Sequence, residues 1–306
     1  LEGHISIFDL VGGAPTGALL TVSLPWTEMS QKALSNKGAQ QDRVLSDATL
    51  FRAPKFGEIA PLAHGLAFSP TKRWLIVADA GQGCVVTYSF EIDTGRLGGD
   101  AGTPTHTMQV SRPALPAGSG AAQKLVVRKF GHRPRHVAFA NAGTLLVVHE
   151  CVNVLTVHSF DDSAGQLGTA VKTVAAWPPP PCAISTYASC CGLSAFLGPI
   201  GAAAEVSVAS DGMVYASTRA LCGAPNIVRI FRAEGGGMAA TVDVVDDLVV
   251  GKNPRHLLLV EDLGLLLVPT VGVITAYRRT DIPGELAVAS KTSVPGKVKI
   301  DCVAFV

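Results

Sequence analysis

The amino-acid sequence predicts an all-β fold. Apolar residues fill 48% of its 306 positions, yet they fall into many short Val-, Leu- and Ala-rich runs. Gly and Pro interrupt those runs too often for periodic helices. Runs of about five residues bounded by turn signals read as strands. One sequence unit recurs four times, and that recurrence decides the architecture.

The units begin at His64, Pro134, Ala204 and Pro254. Each opens on a short apolar strand, at 65–68, 136–139, 206–208 and 257–260. A turn rich in Ser, Asn, Asp, Gly or Pro leads to a second apolar strand, at 74–78, 144–148, 213–217 and 265–269. A third strand follows a loop, at 85–90, 154–160, 227–232 and 273–278. A Gly-containing turn and a less regular fourth strand close the unit. Four strands per repeated unit are the blades of a β-propeller.

Full blades are expected near 64–115, 134–177, 204–247 and 254–297 of a single propeller domain covering 1–306. The stretch 3–10 matches the third strand of a unit, and 299–306 matches the first. Partial blades are therefore expected at 1–25 and 298–306. The non-repeating stretches 26–62 and 177–200 read as inserts, and long loops in compact folds are commonly functional or mobile.

Composition narrows the function classes. A net charge of +1 and the lack of a basic run with interleaved aromatics argue against nucleic acid as a partner. No stretch reaches the ~18 apolar residues of a membrane helix, so no membrane partner is expected. The mean hydropathy of +0.34 is therefore assigned to core strands. The seven Cys are odd in number and too scattered for a disulfide scaffold. They read as buried free thiols of a reducing, cytoplasmic compartment. Cys182, Cys190 and Cys191 have no nearby His, so no zinc, and no cofactor of any kind, is expected. The Gly run at 235–237 lacks a following Lys-Ser/Thr and reads as a turn. No Gly-x-Ser-x-Gly elbow occurs. Residues 1–10 read as a strand and not as a signal peptide, and the chain does not start with Met.

Several motifs stand out within the repeats. They are His64-Gly-Leu-Ala-Phe-Ser-Pro with Val77-Ala-Asp79, and Pro134-Arg135-His136-Val-Ala-Phe followed by His149-Glu150. Ala204-Glu205-Val-Ser-Val is followed by Ala-Ser-Thr-Arg219, and Pro254-Arg255-His256 opens the fourth unit. Gly-Arg-Leu at 95–97 and Gly-Gln-Leu at 165–167 close two units. In order and spacing these motifs resemble the lactonase-type seven-bladed propellers. That group includes cycloisomerase-type 6-phosphogluconolactonases and the fungal 3-carboxy-cis,cis-muconate lactonising enzyme. The resemblance covers residues 60–306. The chain departs from the family in its longer inserts and in spelling four full blades instead of seven. The resemblance thus implies a family member truncated at the N-terminus by about two blades.

The resemblance also implies a site at the central channel, lined by a His, two Arg and a Glu. By motif these are His64, Arg135, Glu150 and Arg219, with Arg255, His256, Glu205 and His136 as secondary substrate-binding residues. Arginine presents a planar fork suited to carboxylate or phosphate and can offset developing oxyanion charge. Glu150 or His64 could move a proton. Burial would raise the Glu150 pKa and a neighbouring Arg would lower it, and the sequence leaves that contest open. A structural role is also available: the repeated Pro-Arg-His can bridge neighbouring blades. The implied activity is a metal-independent lactonase, 6-phosphogluconolactonase-like, acting on a small anionic lactone or carboxylate. Cycloisomerisation of a carboxymuconate is the alternative. A non-catalytic scaffold is the third reading, with protein partners held through the inserts and Pro269 standing where the site blades carry Glu or Arg.

Overall fold

The computed structural model describes residues 4–11, 14–23, 61–98, 103–110, 113–117, 119, 121–177, 200–222, 225–298, 300 and 302–303. A hairpin of β1 (His4–Val11) and β2 (Ala14–Ser23) comes first. Four blades follow. Blade 1 holds β3 (Ala63–Phe68), β4 (Trp74–Asp79), β5 (Cys84–Glu91) and β7 (His106–Gln109), with the short β6 (Arg96–Leu97) paired to the end of β5. Blade 2 holds β8 (Pro134–Asn141), β9 (Thr144–His149), β10 (Val154–Asp161) and β11 (Gln166–Ala175). Blade 3 holds β12 (Ile200–Val208), β13 (Met213–Cys222), β14 (Ile227–Glu234) and β15 (Thr241–Val249). Blade 4 holds β16 (Leu258–Val260), β17 (Leu265–Thr270), β18 (Val273–Arg279) and β19 (Leu286–Ser293). Pairing within each blade is antiparallel. The inserts at 26–60 and 178–199 lie outside the described residues, as does most of the first strand expected at 299–306.

The first strands of successive blades lie side by side: β3 against β8, β8 against β12, β12 against β16. The blades pack face to face around them, and strand alternation supplies both faces. In β9, Leu145 and Val147 point into a layer shared with Ile76, Ala78 and Val85 of blade 1. Leu146 and Val148 point the other way, onto Val206, Val214 and Phe231 of blade 3. Met213 and Tyr215 of blade 3 meet Leu266 and Val268 of blade 4 in the same fashion. A strand between two neighbouring sheets is apolar on both sides, which is why these second strands read as unbroken apolar runs. Each such side chain contributes about 1.5–3 kcal/mol when buried.

One α-helix stands among the described residues: α1 (Ala121–Phe130), between blades 1 and 2. The strand grammar of the repeats did not anticipate it. Its Ala, Gln, Lys and Leu are strong helix formers. Gly131, at φ 75°, ends it by donating its N–H to the Val127 carbonyl, a left-handed cap. Val127 packs onto Cys151, Val152 and Val154 of blade 2. Gln123 donates to the Cys151 carbonyl at 2.5 Å and accepts from the Gly201 N–H at 3.0 Å. The helix thus ties the turn after β9 to the start of blade 3. No helix among the described residues is long and apolar enough to cross a membrane.

The inner strands share a defect that matters for function. Ala63 pairs with Asp79 and Gly65 with Ala78, leaving His64 as an extra residue. Pro134 pairs with His149 and His136 with Val148, leaving Arg135 extra. Ala203 pairs with Thr218 and Val206 with Ala216, so Ala204 and Glu205 oppose Ser217 alone. A β-bulge at the same place in three blades breaks alternation and re-aims the side chain there.

Close approach of the inner strands accompanies the bulges. A Cβ on Gly65 would lie 2.6 Å from the Arg135 carbonyl oxygen and 2.7 Å from the His136 Cα. Those are backbone atoms that cannot swing aside. Gly65→Ala is expected to cost about 1–3 kcal/mol through overpacking. Urea unfolding measures it, and an unchanged midpoint would show that β3 and β8 do not need this distance.

Candidate active site

Glu150 sits one residue beyond β9, at the meeting of blades 2 and 3. Its backbone N–H donates to the Arg133 carbonyl at 2.9 Å, and its own carbonyl accepts from the Ala203 N–H at 3.2 Å. The main chain is therefore held from both sides. Its carboxylate faces three guanidiniums. Arg219 of β13 hydrogen-bonds Oε1. Arg135 Nε lies 3.8 Å from the same oxygen. Arg133 Nη1 lies 3.6 Å from Oε2. Burial pushes the Glu150 carboxyl up, but Arg133, Arg219 and Arg135 together outweigh it and hold it well below the usual carboxylate range. Glu150 is ionised at neutral pH. The contest between burial and arginine is settled in favour of arginine.

The arginines are fixed through the neighbouring backbone. Arg135 Nη1 donates to the Ala204 carbonyl at 2.5 Å, and Arg219 Nε to the Ala202 carbonyl at 3.4 Å. Burial lowers Arg135 to about 10, against the pull of Glu150, so it remains charged at neutral pH. Burial would lower Arg133, but Glu150 and Cys151 together outweigh it and hold Arg133 above its ordinary value. Cys151 beside them is a free thiol pushed up to about 12, first by burial and then by Glu150. It is no nucleophile at neutral pH.

A second carboxylate lies alongside. Glu205 accepts from His136 Nδ1 at 2.5 Å on one oxygen and from His256 Nδ1 at 2.9 Å on the other. Burial raises its pKa, but the two imidazole hydrogen bonds win and bring it to about 2. His256 Nε2 also donates to the Val303 carbonyl at 3.1 Å. Glu205 thereby links blades 2, 3 and 4.

His64 joins the two groups. Its ring meets that of His136 edge-on, with centroids 5.0 Å apart. Its Nδ1 is buried with no hydrogen-bond partner among the described residues. Burial, then Arg135 and His136, lower its pKa to about 3. His64 is therefore a neutral imidazole beside a cationic cluster. No group of His, Cys, Asp or Glu among the described residues is arranged to hold a metal ion.

A family model of seven-bladed β-propeller lactonases matches residues 30–305. The chain belongs to that family. Solved structures share its fold. A candidate 6-phosphogluconolactonase from Bacteroides uniformis is 18% identical over 81% of this chain and 58% of that one, with a TM-score of 0.55. A Lactobacillus plantarum protein is 18% identical over 96% and 80%, with a TM-score of 0.58. A periplasmic gluconolactonase from Pseudomonas aeruginosa is 16% identical over 78% and 56%, with a TM-score of 0.54. At such identities the likeness is one of fold. The chain spans little more than half the length of the Bacteroides and Pseudomonas proteins. No curated protein sequence matches it.

In this lactonase-family chain, His64, Arg135, Glu150 and Arg219 come together, and Glu205, His136 and His256 adjoin them. Arg255 lies near enough to Arg135 to lower it electrostatically. Arg255 and His256 precede β16 and are not in a strand. The bridging role of the Pro-Arg-His segments is present too, since Arg135 and His136 both contact blade 3. Pro269 is not the counterpart of Glu150. The last residues that the second strands pair with the third strands are Asp79, His149, Thr218 and Thr270, so the next positions are Ala80, Glu150, Arg219 and Val271. Arg133 escaped the sequence reading. Its signal was a cation standing where the fourth unit has Asn253, immediately before Pro-Arg-His. A groove between the outer strands of blades 1 and 2, lined by Thr87, His106, Met108 and Gln166, lies away from this site.

Buried neutral histidines continue behind the site. His158 Nδ1 donates to the Gly168 carbonyl at 3.0 Å, leaving Nε2 to accept from Thr156, which accepts in turn from His149 Nε2. Burial holds His149 well below its ordinary 6.5 and lowers His158. Below pH 6.5 the unfolded chain binds protons that the folded chain refuses, so stability falls as pH drops. The depressed Glu150 and Glu205 add to this loss below pH 4.5. Each buried neutral histidine contributes a slope of up to about 1.4 kcal/mol per pH unit. Urea midpoints are expected to fall steadily from pH 7 to pH 5, and a flat profile would mean that these histidines titrate normally.

Proposed function

We propose that the chain carries a lactonase site that hydrolyses an anionic sugar lactone of the 6-phosphogluconolactone kind. The observation that carries the reading is a neutral His64, whose buried Nδ1 has no hydrogen-bond partner among the described residues, beside guanidiniums that outnumber the carboxylate they surround. Arg135 and Arg219 receive the substrate's anionic and carbonyl oxygens. Water attacks the carbonyl carbon and His64 takes its proton. The guanidiniums offset the oxyanion of the tetrahedral intermediate, a role worth about 10²–10³ in rate per donor. Collapse breaks the bond to the ring oxygen, which takes the proton from His64 and leaves as a hydroxyl. Glu150 stays ionised throughout and positions the arginines.

A base with a pKa of about 3 is weak, but binding changes its surroundings. A bound anion offsets the field of Arg135 and makes His64 more basic when the substrate is present. The reading rests on family membership and on this geometry. The cycloisomerisation alternative has no observation of its own to support it.

Hydrolysis of 6-phosphogluconolactone, followed against the spontaneous rate, tests the activity. His64→Asn is expected to lower kcat by about 10²–10⁴. The acid limb of kcat is expected at higher pH than that of kcat/KM, because the two report the bound and free enzyme respectively. No rate above the spontaneous one would remove the reading. Coincident acid limbs would remove the substrate-raised basicity of His64.

A further inference from the structure

Arg133 is an arginine in a place that does not call for one. It adopts φ 51° in the turn between α1 and β8. The matching turn before the fourth Pro-Arg-His carries Asn253 at φ 62°. Asparagine enters left-handed conformations readily, whereas a long side chain does so rarely. The backbone alone would favour Asn or Gly at 133, so the reason for arginine lies in its side chain.

That side chain approaches a carboxylate already engaged by two others. Arg219 and Arg135 both address Glu150 Oε1, and Arg133 takes Oε2. The remaining carboxylate of the cluster, Glu205, is occupied by His136 and His256. Three guanidiniums on one carboxylate leave two positive charges in excess. Arg133 Nε is buried without a hydrogen-bond partner among the described residues. Of the three side chains Arg133 is the most accessible, at 15% exposure against 9% for Arg219 and 3% for Arg135.

We infer that Arg133 is a specificity-determining residue: it supplies the second uncompensated positive charge and fits the site to dianions, either a phosphomonoester or a dicarboxylate. A neutral or singly charged lactone uses only part of that charge. The inference rests on the reading above in placing the ligand at this cluster, but it concerns charge selection and not the chemical step.

Calorimetric titration with gluconate, 6-phosphogluconate and glucarate tests it on the wild type, Arg133→Asn and Arg133→Lys. Arg133→Asn borrows the residue of the matching turn, which suits the left-handed backbone, but it removes one of three cations from Glu150, so its thermal midpoint is expected to fall by no more than a few degrees. The wild type is expected to bind glucarate, a dicarboxylate, and 6-phosphogluconate, whose phosphate dianion adds to its carboxylate, more tightly than gluconate. Arg133→Asn is expected to weaken dianion binding by about tenfold to a hundredfold, the range of one charge-assisted contact, and gluconate by less than about threefold. Arg133→Lys, which keeps the charge, is expected to retain most of the preference. Whichever of 6-phosphogluconate and glucarate loses more identifies the kind of dianion. Equal weakening of all three ligands, or a wild type without preference, would overturn the inference. A chain that binds dianions through Arg133 yet hydrolyses no lactone would instead refute the lactonase reading and leave the charge selection standing.

Discussion

The ionised carboxylate of Glu150 among three guanidiniums is the interaction on which the rest of the site depends. It gathers Arg133 and Arg135 from one blade and Arg219 from the next. Taking a carboxylate out of water costs several kcal/mol, and removing a single partner from a buried ion pair is more damaging than never having built it. Here the cost is spread over several partners and over backbone bonds to Arg133 and Ala203. Helix α1 closes the back of the turn through Gln123 and Val127. The result is a set of charges fixed by the backbone and side chains around them.

The bulge shared by three inner strands explains how a repeated architecture yields an unrepeated site. Equivalent backbone positions carry His64, Arg135 and the Ala204–Glu205 pair, so one geometric device presents different chemistry in each blade. The positions just past the pairing of second and third strands complement it, with Ala80, Glu150 and Arg219 in turn. A ring of identical residues would repel itself or bind nothing, whereas a repeating backbone with divergent side chains makes an asymmetric cluster.

Much of this was legible in the residues. The second strands of blades 2 and 3 announced themselves because each lies between two sheets and is apolar on both faces. His64 and Glu150 were visible as breaks in the repeat. The helix was not, since its ten residues show no long apolar period. The counterpart of Glu150 in blade 4 needed the strand register to move from Pro269 to Val271. Arg133 required knowing that its backbone is left-handed, and the ionisation of Glu150 required three arginines from two distant segments to be seen in one place.

The three apolar layers carry a last consequence. Each joins only adjacent blades, so cohesion is a sum of nearest-neighbour terms and not one shared core. The cluster around Glu150 and Glu205 nevertheless draws on all four blades at once, through His64, Arg135, Arg219 and His256. Opening any one seam by a small hinge scatters the cluster while every sheet keeps its hydrogen bonds. Function in such a molecule is its most fragile property, lost in sub-global openings that leave the β-structure itself intact.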